Sequence, residues 1–135
     1  MDRIIVGYDG SEPARRALQQ ACELAVRLQC PLLVLTAAAD RLDLRHEAKA
    51  RALDPEPGRR VAEEGARYAR EQGVAEVEVH TSLEAPDDAL VLLAAEGCSL
   101  LVVGHRGHGG IRERLLGSVA KSVVDRAPCS VLVVR

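Results

Sequence analysis

Apolar residues occur in two alternating patterns along the chain. Short continuous runs alternate with longer stretches in which apolar positions recur every three or four residues. Arg3–Tyr8 is the first continuous run, with Ile4, Ile5 and Val6 in succession, as expected of a strand covered on both faces. Ser11 then offers a helix N-cap, with Glu12 and Pro13 suited to a first turn. Ala17, Leu18, Ala21, Leu24, Ala25 and Leu28 follow at helical spacing and predict one buried stripe. Leu32–Ala38 reads as a second buried strand. Asp40–Arg60 is charged and carries Pro55, Pro57 and Gly58, so it is expected to be a mobile connection with a short helical piece. Val61, Gly65, Tyr68, Ala69 and Gln72 line a second helix that Gly73 stops. Val74–His80 alternates apolar and polar positions, which predicts a half-exposed strand at a sheet edge.

Pro86, Asp87 and Asp88 open a third helix, their acids suited to the positive end of its dipole. The helix turns Ala89, Leu90, Leu93 and Ala94 inward and ends near Gly97. Leu100–Val103 is a fourth buried strand. Leu115, Leu116, Val119, Ala120, Val123, Val124 and Ala127 form the last helical stripe, with Gly117-Ser118 at the helix start and Pro128 as its stop. Val131–Val134 is the last strand. Five strands interleaved with four helices imply a parallel sheet with helices on both faces, and residues 1–135 read as one domain.

Composition narrows the function classes. The chain has no Trp or Phe, only two Tyr, and a formal net charge of −2. The core must therefore be aliphatic. Neither a basic footprint for nucleic acid nor aromatic platforms for single strands are present, so no nucleic-acid partner is expected. No apolar run approaches the roughly 20 residues of a membrane span. The first strand begins almost at once and leaves no room for a signal peptide, so a cytoplasmic protein is expected. Cys22, Cys30, Cys98 and Cys129 form no CxxC pair and show no metal spacing, and are read as reduced core thiols.

Ligands in such sheets bind at the carboxyl ends of the strands, where the strand order reverses. Two loops leave those ends. One is Gly7-Tyr8-Asp9-Gly10-Ser11; the other is Gly104-His105-Arg106-Gly107-His108-Gly109-Gly110. The second has four glycines in seven residues. Glycine lets a backbone approach a ligand closely, and successive N–H groups can form a nest for phosphate oxygens. Gly117 and Ser118 follow at a helix start, where free N–H groups and the dipole favour an anion. Arg106, Arg112 and Arg114 add positive charge. The loop is neither a Walker loop nor a Rossmann fingerprint. By itself it reads equally well as a glycine-rich turn leading into a Gly-Ser helix start. A branched side chain at Gly117 is expected to block phosphate approach and leave the fold intact.

The segment from Gly104 to Ala120 resembles the signature of the universal stress proteins, G-x2-G-x9-G-S/T, with every fixed position filled. Ile4–Ser11 and Ala127–Val134 resemble that family's two ends, so the likeness spans the chain. It implies a single open-sheet, Rossmann-like α/β domain of five parallel strands in the order 3-2-1-4-5. It also implies ATP as ligand, with Mg2+ or Mn2+. Gly104, His105, Arg106, Gly107, His108, Gly109 and Gly110 would line ribose and phosphates. Gly117, Ser118 and Val119 would hold the distal phosphates. Gly7 and Asp9 would border the nucleoside, with Asp9 near the divalent metal, and Ala37 would present its backbone to the adenine edge. Three positions depart from the family's usual residues: His105, Ala37 and Ser130. The side chains of His105 and His108 are expected to contact nucleotide or solvent, with metal ligation the lesser alternative. The family likeness further implies a homodimer paired through Val131–Val134, whose apolar edge would otherwise lie open.

The expected function is an ATP-binding regulatory or stress-response protein with no catalytic residue assigned. Two alternatives stand beside it: a slow ATPase or phosphotransferase using metal with Asp9 and Arg106, and a nucleotide-free interaction module. A response-regulator receiver would need an Asp ending the third strand and a Lys after the fifth, and neither is present.

Overall fold

The computed structural model describes residues 2–37, 56–106 and 115–135. Its strands are β1 (Ile4–Gly7), β2 (Leu32–Ala37), β3 (Val77–Ser82), β4 (Leu100–Gly104) and β5 (Ser130–Val134). Its helices are α1 (Glu12–Leu28), α2 (Glu56–Glu71), α3 (Pro86–Ala95) and α4 (Ser118–Arg126). The strands form one sheet in the order β3-β2-β1-β4-β5, every neighbouring pair parallel. This is the expected open α/β sheet.

The continuous apolar runs follow from burial on both faces. Side chains alternate across β1, so Ile4 and Val6 pack with α1, α2, Leu32, Val34 and Val102. Ile5 turns to the other face, with Leu33, Leu35, Leu101, Val103 and the inward residues of α3 and α4. Each fully buried aliphatic side chain contributes about 1.5–3 kcal/mol. β3 alternates half-buried and exposed residues at its start and lies at a sheet edge, as its sequence predicts.

Boundaries differ where local pattern and tertiary packing compete. α2 begins at Glu56 and takes in Pro57 and Gly58, although Asp40–Arg60 reads as connection. Proline is tolerated in a first turn because its missing N–H has no intrahelical partner there. The rest of that connection lies outside the described residues. Gln72 is exposed, whereas Gly65 is buried as expected and Ala62, Ala66 and Ala69 are fully buried. β3 starts at Val77, not Val74. Val74 is buried against the first cluster, its N–H donating to the Ala69 carbonyl at 3.2 Å; it anchors the end of α2. In α1, Cys22 replaces Leu28 on the buried stripe, and Leu28 is exposed. α4 starts at Ser118; Leu115 and Leu116 precede it and are exposed. Val124 also faces outward, which leaves Ala120 and Val123 as its buried residues.

Candidate functional site

The two helices of one face flank β1 and β2, and the two of the other face follow β3 and β4. The connections therefore change face between β1 and β4, whose carboxyl ends are Gly7 and Gly104. A crevice opens at such a switch point because neighbouring loops diverge there.

Beyond β1 the chain turns sharply. Gly10 has φ +81°, a conformation glycine adopts without steric penalty. Asp9 is exposed, and its Oδ1 accepts the Ser11 N–H at 2.9 Å. Ser11 caps α1, its Oγ accepting the Ala14 N–H at 3.3 Å. Tyr8 continues the sheet by donating its N–H to the Leu35 carbonyl at 2.9 Å. The buried Thr36 hydroxyl donates to the Tyr8 carbonyl at 2.7 Å. Thr36 is a residue the sequence reading passed over: an isolated hydroxyl in an apolar strand gives no sign of which carbonyl it will meet. Ala37 ends β2 beside it, paired with Ser82.

Beyond β4 the geometry is tight. A Cβ on Gly104 would lie 2.9 Å from the Pro13 carbonyl carbon and oxygen, so the end of β4 rests on the first turn of α1. The His105 N–H donates to the Val134 carbonyl at 2.7 Å, and its own carbonyl accepts the Gly117 N–H at 2.8 Å. A Cβ on Gly117 would meet the Arg106 Cα at 3.1 Å and the His105 oxygen at 3.2 Å. The chain thus leaves at Arg106 and returns against the same backbone at Gly117. Gly107, His108, Gly109 and Gly110, with Arg112 and Arg114, lie outside the described residues.

Gly117 is the N-cap of α4 and supplies no side-chain hydrogen bond to its first turn. Ser118 is exposed at the first helical position, while the Val119 side chain packs against the second cluster. Helix N-termini present N–H groups without intrahelical partners, together with the positive end of the dipole. Gly7, Asp9, Ala37, Gly104, His105, Arg106, Gly117, Ser118 and Val119 therefore gather at the carboxyl edge of the sheet.

Two expectations are narrowed. Residue His105 is only 8 % exposed, which goes against the solvent-contacting alternative; its backbone is tied to both Val134 and Gly117. Gly117 does not have free space on its protein side. A branched side chain there would push against the backbone of Arg106 and His105, so Gly117→Val requires that backbone to give by a few tenths of an ångström.

The acids that open α3 do more than face its dipole. Asp87 is 4 % exposed, and Arg126 at the end of α4 approaches its Oδ2 at 3.4 Å and the Asp88 Oδ1 at 2.9 Å. These ion pairs tie the two helices of one face together. Among the described residues no group of three or more His, Cys, Asp or Glu could hold a metal ion. No described helix is long and apolar enough to cross a membrane.

Comparison with known proteins agrees with this architecture. The sequence model of the universal stress protein family matches residues 1–135. The chain is 33% identical to universal stress protein Rv1636 of Mycobacterium tuberculosis (strain ATCC 25618 / H37Rv), over 97% of this chain and 94% of that protein. A universal stress protein solved in complex with cAMP is 31% identical, with a TM-score of 0.78 over 99% of this chain and 97% of the other. The Archaeoglobus fulgidus universal stress protein, solved in complex with dAMP, shares the fold at 23% identity, with a TM-score of 0.76 over 100% of this chain and 98% of the other. Matched end to end in sequence and in strand order, the chain belongs to the universal stress protein family.

Proposed function

We propose that this chain binds an adenine nucleotide, ATP by its intact signature, and acts as a regulatory or stress-response protein. The observation that carries this reading is the join of β4 to α4. There the Gly117–His105 hydrogen bond holds an N-terminus with a glycine cap at the switch point of the sheet. Free N–H groups of the first turn and the Ser118 hydroxyl suit phosphate oxygens. The relative solved with cAMP supports an adenine ligand for this arrangement.

In this reading Gly104 to Gly110 follow ribose and phosphates, Gly117, Ser118 and Val119 take the distal phosphates, and Gly7 and Ala37 border the nucleoside. Asp9 suits a Mg2+ or Mn2+ ion carried in with the phosphates. It is one exposed carboxylate, and such ions bind through one or two carboxylates while keeping phosphate and water ligands. We assign no catalytic residue.

Calorimetric titration of the purified chain with ATP, ADP, AMP and cAMP, with and without Mg2+, tests the reading. A carboxylate at the first helical position favours the dipole but repels phosphate. Ser118→Asp should therefore keep or raise the melting temperature and weaken ATP by about tenfold or more, roughly 1.4 kcal/mol. Absence of heat with every adenine nucleotide sinks the proposal. Equal ATP affinity in Ser118→Asp moves the phosphates away from α4.

A further inference from the structure

The four cysteines do not share one environment. Cys22 and Cys30 are buried, and burial pushes the Cys22 thiol up to about 12, with a smaller push from Glu23. Cys98 and Cys129 are half-buried and pack against the same apolar cluster, between the sheet and the α3–α4 layer. They stand just before two neighbouring parallel strands, at the amino ends opposite the candidate nucleotide site. β4 and β5 pair Leu100 with Ser130, so extending that register sets Cys98 and Cys129 one residue out of line. Neighbouring strands lie about 4.8 Å apart and rise about 3.3 Å per residue, which puts their Cα atoms about 6 Å apart, within the span of a disulfide. The two thiols lie close enough for Cys129 to act on the Cys98 thiol.

We infer that Cys98 and Cys129 form an oxidisable dithiol that takes a hydroperoxide and closes to an intramolecular disulfide. Burial, then the neighbouring Cys129 thiol, pushes the Cys98 thiol up to about 12. One thiol of the pair, as its thiolate, takes the terminal oxygen of hydrogen peroxide; the O–O bond breaks and, with one proton, water leaves. The other sulfur then displaces hydroxide from the sulfenic acid; the S–S bond forms, its proton joins the hydroxide, and a second water leaves. Two thiols lose two electrons in all, and one peroxide becomes two waters. The ring spans residues 98–129 and so encloses β4, the whole glycine-rich loop and α4. A cross-link over a ring of this size raises stability by restricting the unfolded chain.

The inference is independent of nucleotide binding and is tested by mass. The full chain is treated with hydrogen peroxide, its remaining thiols are alkylated, and it is digested with trypsin without reductant. Cleavage after Arg70, Arg106 and Arg126 places Cys98 in peptide 71–106 and Cys129 in peptide 127–135. The expected product is these two peptides joined, two hydrogens lighter than their sum, in the monomer band of a non-reducing gel. The melting temperature should rise by about 10 °C and return when reductant is added. In Cys98→Ser and in Cys129→Ser the joined peptide should be absent, with the remaining cysteine alkylated or found as a sulfenic or sulfinic acid. Separate peptides after peroxide, a joined peptide found only in a covalent dimer, or a pairing no more selective than in urea would each overturn the inference.

Discussion

Gly104 and Gly117 show how one residue type serves two demands at one place. Each is a fixed position of the glycine-rich G-x2-G-x9-G-S pattern, yet each is also required by the protein's own packing. A Cβ on Gly104 would sit 2.9 Å from the backbone of Pro13, which cannot swing aside as a side chain would. Gly104→Ala should therefore cost about 1–3 kcal/mol through overpacking, read as a lower urea midpoint with an unchanged slope. An unchanged midpoint would mean that α1 yields easily and that this contact does not fix the loop. The glycine-rich pattern was legible in the sequence, but its packing role was not. The Pro13 carbonyl lies far from Gly104 in sequence, and only folding brings the two together. His105 shows the same gap. In sequence it is a polar residue between glycines; in the structure the pull of Val134 and Gly117 on its backbone buries it.

Among the elements, those whose pattern matched their environment were read well. β1, β2 and β4 are apolar without alternation because helices cover both faces, and β3 alternates because it is an edge. Boundaries slipped where a tertiary contact outweighed local spacing. Val74 extends the apolar alternation of β3 but packs into the core at the end of α2. Leu115 and Leu116 continue the spacing of the last helix but precede a helix that begins when Gly117 binds His105. The contact between β1 and β2 through Thr36 makes an element-scale prediction. Val has nearly the shape of Thr but no hydroxyl, so Thr36→Val removes the 2.7 Å hydrogen bond to Tyr8 with little change in volume. The loss should be about 1–2 kcal/mol in urea unfolding. A neutral or stabilising result would show that the Tyr8 carbonyl is satisfied without it.

At the scale of the whole molecule, β5 closes one side of the sheet and leaves a strand edge. The Val134 carbonyl accepts from His105, just beyond β4. In a parallel strand alternate residues point their backbone groups to opposite neighbours, so Val131 and Val133 turn theirs to the open edge. We propose that two copies pair there. Val133→Pro removes an outward N–H while sparing the bonds to β4, a position where an edge strand tolerates proline. Light scattering should give twice the chain mass for the parent and a single chain mass for the variant. A monomeric parent, or a variant that remains dimeric, places the interface elsewhere. The sequence by itself determined the order of strands and helices, the two covered faces of the sheet and the glycine-rich loop after β4, because periodicity and turn chemistry are local. Only the tertiary structure decided that Gly104 packs on Pro13, that Gly117 returns to His105, that Asp87 meets Arg126 and that Cys98 and Cys129 share one apolar cluster. Each of these joins residues distant in sequence, and a pairing that depends on how the chain closes in space leaves no mark in the spacing of either partner.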